Sequence, residues 1–260
     1  MGRVLAISSH VVRGHVGLAA SVPALQRLGH EVWALPTVVL ASRPGLGRLE
    51  RRDTPAAELA AMLEALEADG CWPMLDGVLT GYFVTPEAVA AAARALERIR
   101  QARRGVRILV DPVLGDGGQL YVREDTALAI RRDLLPLADV ATPNLTELAW
   151  LAGAGAGAVG AGEAEALARR LGVPTVVVTS AAESAAGVAT LLVTADRSLA
   201  HSTPRRAGIP NGAGDLLAGL LLGNLLDGRT AEAALEASLA ALDRVLAASA
   251  GGEVLQLAAL

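Results

Sequence analysis

The run IPNGAGDLLAGLLLG, from Ile209 to Gly223, begins with turn formers and opens into a strongly apolar stretch of helical length. A chain entering a helix through Asn211, Gly212, Ala213 and Gly214 presents several unpaired backbone N–H groups at one point. There a developing negative charge, such as that on a transferring phosphoryl group, is stabilised. Asp215 falls in the first turn at the same end, where its carboxylate can accept the proton of a hydroxyl that attacks phosphorus. The same residues also fit a plain tight turn with Asp215 as an N-terminal cap. The choice between these depends on what else the chain carries.

Further acids stand beside glycine-rich turns. In VDPVLGDGGQLYV, from Val110, Asp111 and Asp116 follow a strand-like run, as oxygen ligands do that hold Mg²⁺ through water and balance the charge of ATP; Tyr121 can pack near such a nucleotide. In TPNLTEL, from Thr142, Asn144 precedes Glu147 by three residues. That spacing suits an ordinary helix capping box. The segment ISSHVVRGHVG, from Ile7, puts Ser9 at a strand tip where it can hydrogen-bond a polar ring substituent. Gly14 and Gly17 behind it allow close backbone approach. His10 and His15 have no acidic or histidine partners at metal-ligand spacing. Two shorter motifs follow other strand-like runs: LTGY, ending at Tyr82, and VTS, containing Thr179.

Such residues act together only if a scaffold gathers strand ends and one helix N-terminus. Short β-branched or apolar runs alternate with Ala, Leu, Glu and Arg segments of helical period, the pattern of a parallel sheet covered by helices. Strands are expected at 4–8, 31–35, 77–79, 107–110, 140–142, 175–179, 187–193 and 198–202. Helices are expected at 15–28, 55–69, 86–104, 124–133, 144–152, 163–171, 212–226 and 230–249, and the class is α/β. Gly, Pro and Asp follow several strand tips, and in an open α/β sheet those carboxyl ends line the ligand crevice. Residues 40–53 and 153–162 are expected to be mobile, the first suited to covering a site and the second to a surface linker. No internal repeat or composition shift marks a boundary, so residues 1–260 are expected to form one domain.

Composition narrows the chemistry. Net charge is −4, so the basic excess of a nucleic-acid binder is absent. Apolar stretches are interrupted by Gly and Asn short of a membrane span, and the N-terminus enters a strand at once, so no membrane partner and a cytoplasmic location are expected. Cys71 is alone, which excludes an internal disulfide and any multi-cysteine metal site. All 23 basic residues are Arg, and a chain without lysine has no P-loop lysine, no protein-kinase strand lysine and no Schiff-base lysine. Phosphate handling would therefore fall to backbone N–H groups, Arg and a metal ion.

These motifs together resemble those of pyridoxal kinases in the ribokinase-like superfamily. NGAGD is similar to that superfamily's G-[ATV]-G-D signature, and VDPVLGDGGQLYV to VDPVMGD-x-G-x-LYV. TPNLTEL is similar to TPN-x-x-E-L, LTGY to L-[ST]-G-Y, and ISSHVVRGHVG to SxxVxxGxxG. With LLVTAD, from Leu191, the resemblance runs from about residue 4 to 245. It implies a three-layer α/β/α fold with a mostly parallel central sheet, and ATP-dependent phosphorylation of the 5′-hydroxyl of pyridoxal, pyridoxine or pyridoxamine. Asp215 is implied as base, with Gly212, Ala213 and Gly214 as the anion hole. Ser9, Tyr82 and Asp215 are implied at the substrate, and Asp111, Tyr121, Asn144, Glu147 and Thr179 at the nucleotide. Mg²⁺ is implied beside Asp111, Asp116 and Glu147, and dependence on K⁺ is left open. A homodimer is also implied.

The resemblance breaks at one place. Bacterial pyridoxal kinases carry TVQ-x-SNHT-x-YG over the substrate, whereas this chain has TVVLASRPGLG from Thr37, with Pro44, Gly45 and Leu46 in place of polar and aromatic residues. Hydroxymethylpyrimidine phosphorylation by the same fold is therefore the alternative activity, and a vitamer-binding sensor without turnover the alternative of another class. Ala213 stands where Thr is commoner, but its backbone N–H is unaffected. The N-x-x-D-x-x-x-G start of sugar and nucleoside kinases is missing.

Overall fold

Val4, Leu5, Ala6 and Ile7 are all fully buried, so the first strand is covered on both faces, as a central parallel strand must be. In this computed structural model, which describes residues 1–46, 48, 50–154, 162–184 and 187–260, that strand is β1 (Arg3–Arg13). It is followed by α1 (Leu18–Arg27), β2 (Glu31–Ser42), β3 (Arg51–Asp53), α2 (Ala56–Ala68), β4 (Gly77–Thr80), α3 (Pro86–Ala102) and β5 (Arg107–Val110). Next come β6 (Gly115–Asp116), β7 (Gln119–Leu120), α4 (Glu124–Ala129), β8 (Val140–Ala141), α5 (Leu145–Leu151) and α6 (Ala164–Arg170). The chain ends with β9 (Thr175–Glu183), β10 (Val188–Thr194), β11 (Ser198–Thr203), α7 (Ala213–Leu226) and α8 (Ala231–Ser249).

Among the described residues the main sheet has the order β11-β10-β9-β8-β5-β4-β1-β2-β3, and β6 and β7 form a separate hairpin. From β9 through β8, β5, β4 and β1 to β2 every pairing is parallel, and antiparallel strands finish both edges. Alternation along β1 sends Leu5 and Ile7 into one core, with α2 to α6, and Val4 and Ala6 into another, with α1, α7 and α8. Helices on both faces make the expected three-layer α/β/α arrangement. Helix α7 is buried along Leu216–Leu225, which explains a sequence hydrophobic on all sides.

Two expectations need correction. The 40–53 stretch is folded at both ends rather than mobile throughout: β1 runs five residues past its expected end at Ser8 and pairs through Arg13 with Ser42, giving β2 a partner over its whole length. Strand β3 then folds back on β2, with Val38 opposite Asp53 and Leu40 opposite Arg51. Residues 47 and 49 lie outside the described residues, as does most of the expected 153–162 linker. The expected 124–133 helix is α-helical only to Ala129 and widens into a π turn over Ile130–Leu134.

The loop from β1 to α1 sets where α7 begins. Gly212, the residue preceding α7, has φ 113°, and a side chain there would overlap the His15 carbonyl of that loop. Gly17, with φ 56°, similarly lies against the Ser9 carbonyl and hydroxyl. Gly212→Ala is expected to lower the free energy of unfolding by about 1–3 kcal/mol from backbone strain alone, with displacement of the α7 N-terminus adding to the loss. Urea unfolding followed by circular dichroism checks this: an unchanged midpoint would show that the loop tolerates the displacement.

Candidate active site

The carboxyl ends of β1, β4 and β5 and the N-terminus of α7 meet at one place. Asp111 follows β5 and is buried; its Oδ1 accepts a 2.8 Å hydrogen bond from Thr142 Oγ1. Its carboxyl is held well above the usual range, first by burial and then by the negative charges of Asp215 and Glu147. Asp215 lies in the first turn of α7, with its pKa pushed up to about 6 by burial. Backbone N–H groups of Gly17 and of Asp215 itself work in the opposite direction by hydrogen-bonding the ionised form. The close approach of Gly17 to Ser9, which lies inside β1 rather than at its expected tip, and the Gly17 N–H contact to Asp215 link the first strand to the candidate base.

Asn144 and Glu147 form a capping box on α5: Asn144 Oδ1 accepts from the Glu147 N–H, and Glu147 Oε2 accepts from the Asn144 N–H, each at 2.9 Å. Both side chains also reach the β6–β7 hairpin. Asn144 Nδ2 donates to the Gly115 carbonyl at 2.8 Å, and Glu147 Oε1 accepts from the N–H groups of Leu114 and Gly115 at 2.9 and 3.4 Å. Burial raises the Glu147 pKa to about 7, while these N–H donors favour its ionised form. The capping box expected from the spacing is therefore present, and the same two side chains also hold the hairpin.

The remaining expected residues spread outward from this centre. Asp116 is exposed on the hairpin and its Oδ1 accepts from the Gly117 N–H. Tyr121, just past the hairpin, is 61% exposed; its hydroxyl is pushed up by partial burial and by Asp116 and Glu147. Thr179 on β9 is tied by its N–H to the Pro143 carbonyl at 2.9 Å, and the next residue, Ser180, has φ 49°, a strained conformation for a residue with a side chain. Ser9 is buried, and Tyr82 is half-buried against Val11, Val38 and Leu40. The Tyr82 N–H donates to Ser8 Oγ at 3.1 Å and its carbonyl accepts from Thr37 Oγ1 at 2.7 Å.

Asp111, Asp116 and Glu147 do not converge as direct metal ligands: among the described residues no group of three or more His, Cys, Asp or Glu is arranged to hold an ion. Glu147 is occupied by backbone N–H groups, and Asp116 is turned to solvent. The mutual repulsion of Asp111, Asp215 and Glu147 nevertheless fits a hydrated divalent cation, which hard oxygen donors suit. Thr142, Thr146 and the Gly17 N–H were not anticipated as parts of the site. Thr142 and Thr146 flank Asn144 inside TPNLT, and Thr146 Oγ1 accepts from the Gly118 N–H at 3.0 Å.

For a base to work Asp215 must be ionised, so its raised pKa places the loss of activity on the acid side. Acceptor kcat/KM is expected to be level well above pH 6 and to fall about tenfold per unit below about 6. Initial rates from pH 5 to 8 under saturating nucleotide test this, and a profile flat down to pH 5 would remove Asp215 from the proton transfer.

Comparison with known proteins adds the relationship. Residues 14–254 match the family model described as phosphomethylpyrimidine kinase. A pyridoxal kinase of Deinococcus radiodurans is 38% identical over 254 residues, covering 94% of this chain and 85% of that one. A pyridoxine/pyridoxal/pyridoxamine kinase of Bordetella avium is 38% identical over 251 residues, covering 94% and 84%. Among solved structures, Leishmania donovani pyridoxal kinase in complex with ADP and pyridoxamine is similar with a TM-score of 0.90 at 29% identity, over 99% of this chain and 94% of that one. The motifs, the three-layer sheet and this similarity over nearly the full length agree: the chain belongs to the phosphomethylpyrimidine kinase family, alongside the pyridoxal kinases.

Proposed function

We propose that this protein transfers the γ-phosphoryl group of ATP to the 5′-hydroxyl of pyridoxal and related vitamers. The observation that carries the proposal is Asp215, a carboxylate at the N-terminus of α7 with its pKa raised to about 6, in a chain whose relatives are pyridoxal kinases. The acceptor lies between Ser9, Tyr82 and the β2–β3 flap. Asp215 takes the proton of the 5′-hydroxyl as that oxygen attacks phosphorus. The N–H groups of Gly212, Ala213 and Gly214 face the transferring phosphoryl group and stabilise its charge. Nucleotide is held across Asp111, Tyr121, Asn144, Glu147 and Thr179. Mg²⁺, when bound, neutralises phosphate charge; Asp111 and Asp116 would hold it through water while Glu147 keeps the hairpin in place. A single cytoplasmic kinase domain acting as a homodimer belongs to the same proposal.

Asp215→Asn keeps the size and the hydrogen-bonding reach of the side chain but removes the proton acceptor. It is expected to lower kcat for pyridoxal phosphorylation by about 10²–10⁴-fold with ATP affinity within a few-fold of the parent. Coupled ADP release and nucleotide binding by calorimetry separate these quantities. Loss of ATP binding in the variant would refute the base role. Turnover by the parent protein of hydroxymethylpyrimidine but not pyridoxal would instead assign the acceptor suggested by the family model's description.

A further inference from the structure

Strand β3 faces the acceptor pocket with a charged pair. In an antiparallel ladder, residues directly opposite share a face, so Arg51 and Asp53 project on the side of Leu40 and Val38. That side carries Tyr82, which packs with Val11, Val38 and Leu40. The Arg51 guanidinium bonds Asp53 through Nε at 2.8 Å and Nη2 at 2.6 Å, and it also interacts with the Tyr82 hydroxyl. Of the other cations near the flap, Arg52 stands opposite Val39 and so projects to the other face of β3, and three more are engaged elsewhere. Arg13 and Arg43 bind the Glu253 carboxylate and carbonyl respectively, and Arg48 pairs with Glu50.

A pair of this kind on a sheet edge, with side chains 39% and 46% exposed, contributes little to stability. Its placement beside Tyr82 gives it a different use. We propose that Arg51 is a specificity-determining residue of the acceptor pocket, selecting ring substrates that carry an ionised phenolate and no ammonium substituent. The inference rests on the acceptor assignment made above. Pyridoxal and pyridoxine meet both conditions at neutral pH. Pyridoxamine shares the phenolate but adds an ammonium group, which the guanidinium repels. A substrate ring against Tyr82 would bring its substituents within reach of the same guanidinium, where a charge-assisted hydrogen bond to the phenolate is available. Tyr82 and Asp53 hold the guanidinium in place, and the pair remains partly hydrated.

The test is the ratio of pyridoxal to pyridoxamine, in kcat/KM at saturating ATP and in equilibrium binding without ATP, for the parent, Arg51→Gln and Arg51→Lys. Arg51→Gln is expected to lower both ratios about tenfold, the scale of one partly solvated charge-assisted contact. Arg51→Lys should keep most of the preference, and the KM for ATP and the melting temperature should stay unchanged in both variants. A loss shared equally by the vitamers, or ratios unchanged in Arg51→Gln, would overturn the assignment. Failure of the kinase reading itself has a separate signature, since the parent protein would then turn over no vitamer, while the binding ratios still decide the role of Arg51.

Discussion

Three carboxyl groups, Asp111, Asp215 and Glu147, are brought into mutual repulsion in a poorly solvated place, and much of the structure around them serves to hold them there. Glu147 is fixed by three backbone N–H groups and Asp111 by the Thr142 hydroxyl, while Asp215 is met by the Gly17 N–H. The raised pKa values of Asp215 and Glu147 give the linkage a definite sign. The folded protein binds more protons than the unfolded chain between the ordinary carboxylate range and about 6 to 7. The stability these groups contribute is therefore present in acid and lost as pH rises through that window. A cation bound there would act against that loss by favouring the ionised carboxylates. The site is thus strained toward its ligands by electrostatics rather than by distorted geometry.

Rigid packing makes such an arrangement tolerable. β5 delivers Asp111 from the middle of a sheet buried on both faces, and α7 delivers Asp215 from the most apolar helix of the chain. Neither element can yield to the repulsion without exposing its core. Gly212 lets the α7 N-terminus approach the His15 carbonyl of the β1–α1 loop more closely than a side chain would permit, and Gly17, itself packed against Ser9, gives its N–H to Asp215, so the helix start is aligned by backbone contacts.

Elements whose formation depends on local pattern were legible in the sequence. Arg107–Val110 and Gly77–Thr80 are short apolar runs bounded by turn residues, and α7 follows directly from its turn formers and leucines. The last five residues of β1 and the whole of β3 were not, because these segments are ordered by pairing with β2 rather than by a pattern of their own, and RRD has no strand propensity. At the site, the motifs at Tyr82, Asp111, Asn144 and Asp215 marked the right strand end or helix start, whereas Ser9 and Thr179 lie inside strands longer than expected. What the motifs did not disclose was which atoms are already occupied: Glu147 has the residue type of a metal ligand, yet its oxygens are turned to backbone N–H groups of the hairpin. Burial and direction are tertiary properties, and spacing alone does not encode them.

The division of labour across the sheet accounts for a family in which one catalytic arrangement serves different acceptors. The proposed base and anion hole and the acidic cluster sit on α7, β5 and α5, which are tied to both cores. The acceptor side is built from the ends of β1 and β2 and from β3, an edge strand that packs against only a small satellite cluster of Val11, Val38 and Leu40. Substitution there, as in the change from polar and aromatic flap residues to Pro44, Gly45 and Leu46, leaves the carboxylates and their backbone donors untouched. A charged residue such as Arg51 is also accommodated on that edge, because its side chain remains partly hydrated. On the proposed reading, selectivity is free to vary where the fold is least constrained, and the carboxylates stay where displacement costs most.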